Sequence, residues 1–175
     1  MRQTIRKFLH DTTAQIAGLN GSSVIWANQG APKQSVPIVT LRAYAEQAES
    51  MADHSATDTV GEVDLRTPTA FVLELQYYGK GGSFPVDSVN DIVRALEKPT
   101  IVDSFVGAGV AFLYADPVQD LTDLLGNDQQ YEPRAAVDLH FRYTAVVADE
   151  PGTFDTVNIY GETPAEMNWT ITSKE

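Results

Sequence analysis

The sequence predicts an α+β domain: a largely antiparallel sheet with helices packed on one face and one long strand or hairpin that projects. Three observations lead there. Two stretches carry apolar residues at helical spacing, several others alternate apolar and polar residues, and the joins read as hairpin turns instead of regular βαβ units. The 175 residues, 43% of them hydrophobic, suffice for one self-sufficient core. A single domain is expected over residues 1–161, with a polar C-terminal arm over 162–175.

Residues 2–18 form the first expected helix. Ile5, Phe8, Leu9, Thr12 and Ile16 share one face, and Gly18 supplies the stop. Val24–Ala27 is a short apolar run broken by Asn28, Gln29, Gly30, Ala31 and Pro32. Val36–Tyr44 reads as a strand, with Pro37 at its start where a missing N–H does least harm. Residues 45–66 are acidic and polar, either a mobile loop or a hairpin whose arms continue the flanking strands.

Thr69–Tyr78 alternates cleanly, with Phe71, Leu73, Leu75 and Tyr77 on one face. Gly79–Gly82 ends it, and Ser83 is expected to cap a helix over 85–98, with Pro99 beyond its end. Residues 100–106 fit a helical turn or a strand equally. Val110–Tyr114 is a short strand, and Leu121–Leu125 is expected to make one or two helical turns. Ala135–Val147 alternates almost without a break, which at ~3.4 Å per residue is unusually long for a strand. Thr156–Tyr160 is a final strand partner.

Charge narrows the function. The net formal charge is −12, which argues against a nucleic-acid coat. Its distribution is uneven: residues 1–42 hold Arg2, Arg6, Lys7, Lys33 and Arg42 against Asp11 alone. The remainder carries 7 basic and 23 acidic groups. A basic end on an acidic body can steer one copy against another. With no Cys, there is no disulfide, thiolate metal site or Cys nucleophile. The chain lacks an apolar run of membrane-spanning length and a leader pattern at its start, so a soluble protein used where it is made is expected.

A search for reactive chemistry finds little. His140 and Asp138 lie two apart on the long strand and face the same way, but two ligands make no metal site. Asp53-His54 sits in the acidic segment. Gly79-Lys80-Gly81-Gly82-Ser83 lacks phosphate-loop spacing and reads as a turn. Asp116, Asp120 and Asp123 would share a helix face but do not match a calcium loop. No catalytic, cofactor or metal residues are expected, and no enzyme.

Several segments together resemble the neck and tail terminator proteins of tailed bacteriophages. They are Val24-Ile25-Trp26-Ala27-Asn28-Gln29-Gly30-Ala31-Pro32 followed by Val36–Leu41; Leu75-Gln76-Tyr77-Tyr78-Gly79; and Asp120–Leu125 followed by Tyr131-Glu132-Pro133-Arg134-Ala135. Asn28, Gln29, Tyr131, Glu132 and Arg134 carry most of the likeness. It implies an α+β structural protein of the virion, made in the bacterial host cytoplasm. Such proteins form a ring, commonly a hexamer, that stops tail-tube growth and joins the tail to the connector while DNA passes through the lumen. The likeness implies no cofactor and no membrane.

On that reading, Glu46, Glu49, Asp53, Asp58, Glu62 and Asp64 are candidates to face the lumen or the tube. Arg2, Arg6, Lys7, Lys33 and Arg42 are candidates for an inter-subunit basic patch. The alternatives are a head–tail stopper or tail completion protein, a small acidic enzyme or ligand-binding domain using Asp138 and His140, and an acidic DNA mimic.

Overall fold

The computed structural model describes residues 1–27, 35–57, 59–125, 130–152, 156–159 and 169–172. The elements in order are helix α1 (Gln3–Ala17), a 3-10 turn (Gly21–Ser23), and strands β1 (Val24–Trp26), β2 (Ile38–Ala48), β3 (Asp53–Ala56) and β4 (Val63–Tyr78). Helices α2 (Pro85–Leu96) and α3 (Pro99–Gly107) follow. The chain continues through β5 (Val110–Ala115), β6 (Gln119–Asp120), β7 (Asp123–Leu125), β8 (Gln130–Glu132), β9 (Arg134–Asp149), β10 (Thr156–Ile159) and β11 (Trp169–Thr172).

The expected α+β class holds. An open, mixed sheet of seven strands runs β1-β2-β4-β9-β5, with β3 added on β4 and β6 on β9. Its ladders are antiparallel except β1 on β2, which is parallel. Contacts divide the chain into two units: residues 1–51 with 67–145, and residues 52–66 with 146–175.

In the first unit, one face of the sheet presents Val39, Leu41, Phe71, Leu73, Leu75, Val137, Leu139 and Phe141, all at most 3% exposed. The helices cover that face through Ile5, Leu9, Val89, Ile92, Leu96, Ile101 and Phe105. Phe8 of α1 meets Phe105 of α3 edge-on at 5.2 Å. Both predicted helices form within a residue or two of their expected ends. Gly18 stops α1 in the left-handed region (φ 63), donating its N–H to the carbonyls of Ala14 and Gln15.

Two local expectations are corrected and one open reading is decided. Residues 100–106 are helical, because Ile101 and Phe105, four apart, both reach the core. Pro99 lies beyond the end of α2, as expected, and opens α3, where its missing N–H is harmless. Ser83 does not cap α2; Phe84 holds that position, and the Ser83 hydroxyl closes the preceding turn by donating to the Lys80 carbonyl at 2.7 Å. The segment 121–125 is extended, not helical, and so Asp116, Asp120 and Asp123 share no helix face. Here the Leu121 N–H donates to the Arg134 carbonyl at 2.8 Å, and Asp123–Leu125 pair antiparallel with Gln130–Glu132 of β8.

Parts of the acidic segment are strands. β2 extends to Ala48, and β3 pairs antiparallel with Val63–Arg66 of β4. In the second unit β10 and β11 form a two-stranded ladder, with Ile159 opposite Trp169.

Candidate functional site

The sheet face away from the helices is polar, and its side chains are tied to one another. Arg42 Nε meets Glu74 Oε2 at 2.7 Å, and its guanidinium lies 5.2 Å from the Tyr44 ring centre. The Tyr44 hydroxyl donates to Asp138 at 2.7 Å. His140 Nε2 contacts Asp116 at 3.1 Å, and its ring stacks on Tyr114 at 4.1 Å. Arg142 binds both carboxylate oxygens of Glu49, at 2.5 and 2.9 Å. Asp138 and His140 thus share a face, as their spacing requires, but turn to different partners. Among the described residues, no group of three or more His, Cys, Asp or Glu is placed to hold a metal ion.

On the helix-covered face, a β-bulge relocates one acidic candidate. Tyr44 pairs with Val72 and Gln47 with Ala70, so two residues of β2 oppose Phe71. Ala45 takes a left-handed φ of 50°. Unbroken alternation would put Glu46 beside Tyr44 on the polar face. The bulge instead turns it toward the amino group of Met1, 2.5 and 2.7 Å from its two oxygens, and toward the donating hydroxyl of Tyr143.

Burial pushes the Glu46 carboxyl up, but the hydrogen bonds from the Met1 ammonium and Tyr143 outweigh it and hold it below the ordinary glutamate range. Burial first, and then the Glu46 carboxylate, pushes the Tyr143 hydroxyl up to about 12. A depressed carboxyl contributes stability above its unfolded value and loses it as pH falls through the folded value. Glu46→Gln is therefore expected to lower stability at pH 7 and to flatten the acid side of the stability curve below about pH 4.5, read by circular dichroism across a pH series. An unchanged curve would show that the contact contributes nothing.

The basic candidates are not one patch. Arg2, Arg6 and Lys7 lie at the start of α1, whereas Arg42 is on the polar sheet face, paired with Glu74. Lys33 lies outside the described residues. Met1, Gln3, Arg6, Lys7 and Trp26 line a groove of about 450 Å³, in which Arg6 sits 5.0 Å from the Trp26 ring centre. Lys7 pairs with Asp11 one turn along the helix at 2.5 Å.

The acidic candidates also separate. Glu46 and Glu49 are engaged within the first unit as described. Asp53, Glu62 and Asp64 belong to the second unit, where Asp64 contacts Arg66 at 3.3 Å. Asp58 lies outside the described residues.

The segments that carry the family likeness meet in space, which their separation in sequence hid. Gly79, ending β4, donates its N–H to the Pro133 carbonyl at 2.8 Å. Arg134 lies 5.6 Å from the Tyr78 ring centre, and its N–H reaches the Thr122 hydroxyl at 3.3 Å. Tyr131 stands 64% exposed beside this junction on β8, with Glu132 next to it. Asn28 and Gln29 lie outside the described residues. Alternation did not reveal an apolar groove of about 320 Å³ between α3 and β5, where Val106 is 72% and Leu113 42% exposed.

A family model described as phage neck terminator protein matches residues 1–166. The chain belongs to that family. No curated protein matches the chain. Membership makes this neck terminator protein a structural component of the virion that works against other tail and neck proteins. Among the described residues, no helix is long and apolar enough to cross a membrane.

Proposed function

We propose that this neck terminator protein closes into a ring, six copies around, on the end of the tail tube, stops its growth and joins it to the connector below the head. The genome passes through without specific binding, and no step needs a reactive group or cofactor. The observation that carries this reading is the family match over residues 1–166 of 175.

The fold is suited to the role. A ring is a head-to-tail assembly, so each subunit needs two unlike patches. The basic start of α1 and the acidic remainder of the chain are two such patches. A net charge of −12 disfavours adhesion to DNA phosphates.

Electron microscopy of particles made without this protein tests the proposal. Overlong tails are the expected result. Tails of normal length detached from heads would favour the stopper or completion role instead. Normal, joined particles would overturn both.

A further inference from the structure

We propose that the α1 groove lined by Gln3, Arg6, Lys7 and Trp26 receives, from the neighbouring copy, the acidic residues Asp53, Glu62, Asp64, Asp149 and Glu150 of the second unit. The inference rests on the ring reading and names the contact that closes the ring.

Charge complementarity carries it. The second unit holds ten Asp and Glu against two Lys and Arg, a net of −8. That leaves −4 for the larger unit, from a total of −12. Copies this acidic repel one another in most orientations. Approach becomes favourable when the most negative part of one meets a cationic part of the next. The start of α1 is such a part, with Arg2, Arg6 and Lys7 set against Asp11, which pairs with Lys7, and Glu46, which pairs with the Met1 ammonium.

The groove is also prepared for a partner. Arg6 is held over Trp26, an arrangement that reduces the ordering cost of binding, and Arg and Trp are the residue types that anchor interfaces. The groove and these acidic residues belong to different units of one chain. Their contact therefore propagates from copy to copy, as a ring demands.

Sedimentation velocity on the full chain tests this at ~50 mM and ~500 mM salt, since exposed charge pairs are screened at the higher value. One variant carries Arg6→Glu and Lys7→Glu. The other carries Asp53→Lys, Asp149→Lys and Glu150→Lys, all at exposed positions. The wild type is expected to associate at low salt and to weaken at least about tenfold at high salt. Each variant alone should sediment as a monomer with an unchanged circular dichroism spectrum. An equimolar mixture should regain assemblies with an even number of copies, which a contact within one chain could not produce. The milder Arg6→Gln with Lys7→Gln should lose part of the association. If both charge-reversed variants form rings like the wild type, this inference falls and the ring reading stands. If the wild type never associates, the ring reading falls with it. Binding of a short DNA duplex that Arg6→Glu and Lys7→Glu abolish would overturn the assignment of the groove to a second copy.

Discussion

Phe141→Ala is expected to cost about 4 kcal/mol, a large part of the stability of an ordinary domain. Phe141 is 1% exposed. Its ring stacks on Phe71 of β4 at 5.5 Å, and it meets Phe105 of α3 at 5.6 Å and Phe112 of β5 at 5.4 Å. One side chain on β9 therefore ties a neighbouring strand, the edge strand and a helix together. Truncation removes apolar burial and also leaves a void that three other rings, fixed on separate elements, cannot all move to fill. Phe141→Leu, which retains most of the volume, should cost roughly half as much. Urea unfolding followed by circular dichroism gives both values. A loss below about 1 kcal/mol for the alanine variant would mean that the core collapses around the gap. The apolar groove between α3 and β5 should be disturbed as well, since Phe105 and Phe112 line it.

That cluster also marks what the sequence could reveal. Phe141 and Phe71 were legible as core because strict alternation leaves a strand only one apolar face to bury. The α1 face was legible for the same kind of reason, through Ile5 and Leu9 at helical spacing. α3 was ambiguous because Ile101 and Val102 favour strands locally, and only contact with the core at Ile101 and Phe105 decides the matter. Leu121–Leu125 was misread because Leu121 bonds to Arg134, thirteen residues on, and Asp123–Leu125 pair with Gln130–Glu132, and no local pattern encodes those partners.

The candidate site was legible mainly as charge. The acidic surplus and the basic start could be counted, but a count along the chain does not separate faces. Arg42 grouped with Arg2 and Arg6 by position, yet a sheet lies between their surfaces. Glu46 grouped with the other acids of 45–66 until the bulge at Ala45 turned it toward Met1 and Tyr143. The groove itself needs α1 and β1 side by side, which brings Arg6 to Trp26 across twenty residues of sequence.

Trp26→Ala is expected to cost about 3–4 kcal/mol and to loosen β1. Trp26 is 8% exposed and belongs to the core cluster, while its ring also carries Arg6. β1 is only three residues long, paired in parallel with Val39–Leu41 of β2. A ladder that short depends on side-chain packing, supplied here by Val24 and Trp26. Without the indole, the β1 amides should exchange hydrogen much faster than those of β4. The effect should reach α1, whose His10 Nε2 contacts the Val24 carbonyl at 2.9 Å. Trp26→Phe separates packing from recognition, because it keeps most of the apolar bulk but offers a weaker surface to the guanidinium. It should cost about 1 kcal/mol of stability, measured by thermal unfolding, while weakening self-association by a larger factor than that loss explains. Equal losses in stability and association would reduce Trp26 to a core residue and leave Arg6 and Lys7 to act by charge alone.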